Sequence, residues 1–254
     1  MVSRVVLLDA GPLGMISHPR KNPEIKVWRQ NLIRSGTVMR VPEIVDYEVR
    51  RVGLPRNSNY EEFTVQFMSN SYVVPILTPS NKETALLTPA RKEDMPNDWG
   101  FDWHGLWERT DFDCQNIVKL VYAKQVFGLI RYGLYPYPYQ EKPVYLEIEQ
   151  VQANPLSQGK AKDQIIRPIG KWLIWYATRE SLQKCIGGTD GTIAVLTAKD
   201  KESLIEYYSN TVQMEYQGPD TIAPGEDGHV FTFSRQAAEQ FCTRQEQWGL
   251  PAHL

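Results

Sequence analysis

Cysteine and histidine are scarce in this chain: three cysteines and four histidines in 254 residues. Cys114, Cys185 and Cys242 are far apart, odd in number and without a CxxC partner. That excludes a disulfide framework and fits thiols kept reduced in a cytoplasm. His18, His104, His229 and His253 do not stand with Cys, Asp or Glu at ligand spacing, so no zinc site is expected. A GxSxG nucleophile elbow is missing, and so is a GxxxxGK[ST] phosphate loop, which removes two large enzyme classes. No apolar run approaches the ~20 residues needed to cross a bilayer. The run Val5–Leu8 is closed at once by Asp9 and is too short for the core of a secretory leader. A soluble, cytoplasmic protein with no membrane partner is the expectation. There is no internal repeat and no low-complexity tract.

What is present is an ordinary globular composition, 42% hydrophobic and 23% charged, enough apolar residue for a packed core. The net charge of −2 implies no special partner, but the charge is unevenly spread. Residues 1–60 hold ten Lys/Arg against five Asp/Glu, so the remainder carries −7. A polyanion contact by the N-terminal piece and a scatter of solvated arginines are both open readings. Nucleic acid is not the expected partner.

Hydrophobic periodicity and turn residues divide the chain. Residues 4–8 read as a strand, 23–35 as a helix carrying Ile25, Trp28, Leu32 and Ile33, and 43–51 as a short helix. The stretch Gly53–Asn59 is rich in turn formers. The organisation is therefore an N-terminal segment over 1–51, a join over 52–71 and a larger domain over 72–254. In the larger domain, strands are predicted over 72–77, 116–123, 125–132, 144–151, 192–197, 214–217 and 230–233. Helices are predicted over 169–184, 201–210 and 235–247, and residues 84–92 are ambiguous. The 169–184 segment is apolar around most of its girth (Trp172, Leu173, Trp175, Tyr176, Ala177, Leu182) and must be largely buried. Gly187-Gly188 is the expected end of that helix.

Two stretches of the N-terminal segment resemble the PIN family of metal-dependent ribonucleases. One is Val5-Val6-Leu7-Leu8-Asp9-Ala10-Gly11-Pro12-Leu13, an apolar strand delivering a carboxylate at its end. The other is Val41-Pro42-Glu43-Ile44-Val45-Asp46-Tyr47-Glu48-Val49-Arg50-Arg51. The resemblance implies a partial βαα unit in which Asp9 and Glu48 face a metal, Mg²⁺ or Mn²⁺. Such hard cations take oxygen ligands and activate water for phosphodiester hydrolysis. The further acidic residues of a PIN site have no match here, so a remnant with Asp9 capping a turn and Glu48 on a helix surface is the competing reading.

The larger domain resembles the GNAT acetyltransferases over about residues 72–250. The order strand 144–151, loop, helix from Gly170, strand 192–197, helix 201–210 is that of the family core. Arg167-Pro168-Ile169-Gly170-Lys171 resembles the family's Arg/Gln-x-x-Gly-x-Gly/Ala pyrophosphate loop. In that loop, backbone N–H groups at a helix start meet the phosphates of CoA, and glycine allows close approach. Arg167, Ile169, Gly170 and Lys171 are then the cofactor-binding residues, with Lys171 adding a cation. Trp172 departs from the pattern, standing where the family has Gly or Ala, and would crowd a cofactor. The Trp99–Trp103 cluster and the strand through Tyr145-Leu146-Glu147-Ile148-Glu149 add to the likeness. The resemblance implies a mixed α+β fold, a central mixed sheet flanked by helices, with the pantetheine arm of acetyl-CoA pairing with the backbone of that strand.

Alternation puts Glu147 and Glu149 on one face of the strand. A carboxylate there could hold or deprotonate an amine before it attacks the thioester, and a nearby backbone N–H would stabilise the oxyanion. A solvated strand face is the plain alternative for both glutamates. Tyr207 or Tyr208 stands where the family has a tyrosine that protonates the leaving thiolate, and Tyr208 matches the family's pattern better. Core packing is the plain alternative, since Leu204, Tyr207 and Tyr208 share a helical stripe. The expected activity is that of a bacterial-type protein catalysing acetyl-CoA-dependent N-acetylation of a small-molecule or protein amine. A non-catalytic binding module of the same fold and a PIN-type ribonuclease are the alternatives, and the oligomeric state is open.

Overall fold

A computed structural model of the chain describes residues 70–137, 142–158, 166–221 and 227–254. Asp9, Glu48 and the PIN-like expectation lie outside the described residues. Over the described residues the architecture is mixed α+β: one nine-stranded mixed sheet with helices on both faces. Its strands are β1 (Tyr72–Leu77), β2 (Lys82–Pro89), β3 (Gln115–Tyr122), β4 (Gln125–Tyr135), β5 (Tyr145–Ala153), β6 (Thr192–Lys199), β7 (Glu215–Thr221), β8 (Asp227–Ser234) and β9 (Ala252–His253). The helices are α1 (Trp103–Glu108), α2 (Ile169–Lys184), α3 (Glu202–Glu206) and α4 (Arg235–Glu246).

In space the strand order is β7-β8-β6-β5-β4-β3-β2-β1-β9. Every pairing is antiparallel except β5 with β6. That parallel pair needs a long crossover, and α2 supplies it. The β3–β4 hairpin closes through Ala123 and Lys124, both at positive φ (47° and 64°). Two left-handed central residues match the twist of the flanking strands, as a type I′ turn does, here without the usual Asn-Gly.

The main core lies between the sheet and the α2/α4 layer. Trp172, Leu173, Ile174 and Ala177 of α2 are fully buried. The polar end of each large aromatic on this helix finds a partner. Trp172 Nε1 donates to the Pro75 carbonyl (2.7 Å), Trp175 Nε1 to Glu246 Oε1 (3.0 Å), and the Tyr176 hydroxyl to the Asn70 carbonyl (2.8 Å). Pro75 sits inside β1 opposite Thr84. Its carbonyl is taken by an indole rather than by a strand. The opposite face of the sheet carries a smaller core of Met95, Trp103, Leu106, Ile117 and Leu129 under α1.

Three expectations are corrected. The ambiguous segment 84–92 is mostly strand, β2, because Ala85 and Leu87 alternate inward. The α2 helix does end at Lys184, but Cys185 leaves it in extended conformation, so Gly187 (φ +94°) turns the chain one residue later than a C-capping glycine would. The helix expected over 201–210 is α only to Glu206 and continues as a π-turn over Tyr207–Val212, closed by Gln213 in the left-handed region (φ 65°). The wider turn lets the adjacent Tyr207 and Tyr208 both enter the core.

Candidate active site where the parallel strands part

The parallel pair is short. Leu146, Glu147 and Ile148 of β5 match Ala194, Val195 and Leu196 of β6, and the ladder stops there. Beyond it, β5 runs on to Ala153 and β6 to Lys199 without pairing to each other. Among the described residues, Glu149–Gln152 of β5 therefore have a strand partner only on the β4 side. On that side the register shifts: Tyr132 faces Ile148, but Arg131 faces Gln150, leaving Glu149 as an extra residue. A bulge of this kind breaks the ladder and re-aims side chains.

Leu146, Ile148, Val151 and Ala153 of β5 point into the α2 core. Glu147 and Glu149 belong to the other face, as alternation predicts. That face is not a solvated surface, which removes the plain alternative for both. Glu147 is 8% exposed, with Gly133 and Val195 beside it in register. Glu149 is held in a buried polar network. Its Oε1 accepts from Gln115 Nε2 (2.6 Å) and from the Tyr135 hydroxyl (2.6 Å), and its Oε2 lies 2.8 Å from the Arg131 guanidinium. Arg131 further donates to Gln115 Oε1, Gln150 Oε1 and Thr110 Oγ1.

Tyr135 reaches Glu149 only because position 133 has no side chain. A Cβ on Gly133 would meet the Tyr135 hydroxyl at 2.6 Å and its Cε2 at 2.7 Å. Burial, and then the negative charge of Glu149, push the Tyr135 phenol well up, so it stays protonated and donates. Arg131, Tyr135, Gln115 and Gly133 are functional candidates that sequence reasoning missed. They come from two further strands, and no short motif joins them.

Toward the end of β5, Gln152 is buried and anchors the aromatic cluster. Its Oε1 accepts from Trp103 Nε1 (2.8 Å) and the Phe101 N–H (3.2 Å). The cluster forms an open cavity of about 540 Å³ lined by Pro96, Asn97, Trp99, Phe101, Asp102 and His104, among others.

The 167–171 segment is arranged differently from a free phosphate loop. Arg167 pairs with Leu77 through both its N–H (3.0 Å) and its carbonyl (2.7 Å), extending the end of β1. Its side chain is exposed, whereas Ile169 and Gly170 are buried. Ile169 and Leu173 lie over Gly128 on β4, which could not carry a Cβ (2.5 Å to Ile169). Lys171 is partly buried, and burial, reinforced by Arg244, lowers its ammonium pKa. Trp172 turns into the core towards β1. Tyr208 is buried against Tyr207 and Phe231 (centroids 5.2 and 5.3 Å), and burial raises its phenol above the ordinary value. Among the described residues no group of three His, Cys, Asp or Glu could hold a metal ion, and no helix is long and apolar enough to cross a membrane.

No protein-family model matches the sequence, and no curated protein matches it. Solved structures resemble the chain at low identity. An uncharacterized protein from Bacillus halodurans is 8% identical, with a TM-score of 0.48 over 69% of this chain and 96% of that one. The ribosomal-protein-alanine N-acetyltransferase of Brucella melitensis is 14% identical, with a TM-score of 0.40 over 58% and 98%. Arabidopsis thaliana Naa50, in complex with a bisubstrate analogue, is 10% identical, with a TM-score of 0.43 over 59% and 98%.

Proposed function

We propose that the chain is an acetyl-CoA-dependent N-acetyltransferase of GNAT type acting on an amine. The observation that carries the reading is the parting of β5 from β6 beside the bulge at Glu149. Among the described residues it leaves β5 with a strand partner on one side only, next to two carboxylates held on the same face. The pantetheine arm of the cofactor would pair there by strand addition. Bound acetyl-CoA supplies the activated thioester.

The residues then divide the work. Glu149 already accepts three hydrogen bonds or ion-pair contacts of roughly four that a carboxylate can take. The remaining lone pair suits an incoming ammonium, and Glu147 beside it is the second carboxylate for proton removal. Tyr208 keeps its proton at neutral pH and is the donor to the leaving thiolate. The aromatic cavity tied to β5 by Gln152 lies on the same face as the glutamates and suits the acceptor. The side chains of Arg167 and Lys171, with Ile169 and Gly170 at the helix start, are the groups for the cofactor's phosphates. A second reading, a binding module of the same fold without turnover, is favoured by one observation: the main chain of Arg167 is already spent on Leu77.

Thermal unfolding of the full chain with acetyl-CoA tests the reading. A rise in Tm that Gly170→Glu abolishes is expected; no shift would sink it. Turnover on an amine panel separates enzyme from module. Tyr208→Phe should lower kcat by about tenfold or more while KM for acetyl-CoA holds, since ring packing is retained.

A further inference from the structure

At the far end of the sheet, three side chains from β6, β7 and β8 form a hydrogen-bonded line. Asp200, directly after β6, has Oδ1 2.9 Å from His229 Nε2, and His229 Nδ1 is 2.7 Å from the Tyr216 hydroxyl. The sheet geometry explains the meeting. Gly228 brings β8 close to the end of β6, since a Cβ there would meet the Ala198 carbonyl at 2.8 Å. His229 is thereby set beside Asp200. Tyr216 pairs with Phe231, so His229 is its diagonal neighbour, within reach of an aromatic side chain. A bulge in β7 between Tyr216 and Gly218 turns that strand further. The Tyr216 ring packs on both His229 (5.6 Å) and Phe231 (5.4 Å), yet 42% of the residue stays open to solvent.

The hydrogen-bond chemistry fixes direction. Ionised Asp200 only accepts, so His229 Nε2 carries a proton. In the neutral imidazole, Nδ1 is then a lone pair, and the Tyr216 hydroxyl must donate to it. A solvent-facing phenol whose proton is already directed at an oriented imidazole is the arrangement of an activated oxygen nucleophile.

We propose that Tyr216 is an acyl-accepting nucleophile, with His229 as its general base and Asp200 as the residue that positions the imidazole. The substrate class is an activated acyl ester or thioester. Tyr216 Oη forms a bond to the acyl carbon while its proton passes to His229 Nδ1. The adduct collapses by breaking the bond to the leaving group, which departs with the electron pair. The imidazolium, held by Asp200, then releases its proton to solvent or to the leaving group. The product is O-acyl-Tyr216. This role does not depend on the acetyl-CoA reading, and it uses none of the residues assigned there.

The full chain is treated with para-nitrophenyl acetate and mapped by peptide mass spectrometry over time. Tyr122, partly exposed and without a histidine in its described contacts, is the internal reference. Tyr216 should be acetylated at least about tenfold faster than Tyr122, the low side of what a positioned base supplies. His229→Gln should remove that advantage, and Asp200→Asn should reduce it, with circular dichroism showing all variants folded. Modification of Tyr216 no faster than Tyr122, or a rate unchanged in His229→Gln, overturns the proposal. A variant that fails to fold is replaced by His229→Asn, read in the same way.

Discussion

Arg131 and Glu149 face each other across the β4–β5 bulge at 2.8 Å, with both side chains nearly buried. The pair fixes the one carboxylate that the bulge turns away from the α2 core. Most of its partners are supplied by the same sheet: Gln115 from β3, Tyr135 from β4 and Gln150 from β5, with Thr110 after α1 as the other. The network makes the site a rigid part of the sheet, so its variants should report on stability as well as on activity.

Arg131→Met leaves Glu149 buried without its cation. The expected loss is about 3–5 kcal/mol, the usual cost of stranding one member of a buried pair. Arg131→Met with Glu149→Leu should be more stable than Arg131→Met alone, because the stranded charge is gone. Urea unfolding of both variants checks this. If the double variant is no more stable than the single one, the pair is not what holds this region.

Gly133→Ala places a methyl group where the Tyr135 ring now lies. The phenol must move off Glu149, at a cost of about 1–3 kcal/mol for overpacking a fixed site. Acetyl transfer should fall with it, since Glu149 loses a donor. Trimming the ring in Gly133→Ala/Tyr135→Leu should restore part of the stability but not the activity. Paired denaturation and kinetic measurements separate the two effects.

The cysteines should be silent in the folded protein. Cys114, Cys185 and Cys242 are all buried. Burial pushes the Cys185 and Cys242 thiols up to about 12. From the ordinary thiol value of 9.0 up to about 12, the unfolded chain gives up these protons while the folded chain keeps them. The folded state then binds more protons, so stability falls as pH rises through that range. An aromatic disulfide reagent at mildly alkaline pH should titrate no thiol quickly in the native chain and all three in denaturant. Rapid native labelling would contradict this burial.

Removing residues 248–254 should expose an edge. β9 covers Tyr72 and Val73 of β1, the Leu254 N–H donates to the Ser71 carbonyl, and Lys82 Nζ donates to the Trp248 carbonyl at 2.6 Å. Without the segment, β1 presents unpaired backbone groups, which recruit other strands. Light scattering should show concentration-dependent association of the truncated chain, and an unchanged monodisperse signal would count against a protective role for β9.

How much of this was legible beforehand follows from the range of each interaction. The limits of β1 and α2, and the order of strands and helices from residue 144 to the helix ending at Glu246, were readable because apolar periodicity and turn residues act within a few positions, whereas β9 was missed. The mixed α+β architecture was what the family resemblance over about residues 72–250 implied. Glu147 and Glu149 on one face were also readable, because strand alternation is a local property. The π-turn at Tyr207 and the inward course of Pro75 were not readable. Both are settled by the core that surrounds them.

The sequence by itself determined which segments must be buried and where a pair of carboxylates would sit on a strand. Only the tertiary structure decided what those carboxylates meet. Glu149 is paired because Gln115, Arg131 and Tyr135, 14 to 34 residues away in the chain, converge on the same face. Asp200, His229 and Tyr216 align because three strands bring them together. Such contacts depend on strand register and on the bulges at Glu149 and Gln217. A register is set by the packing of the whole sheet, and no window of local sequence contains it.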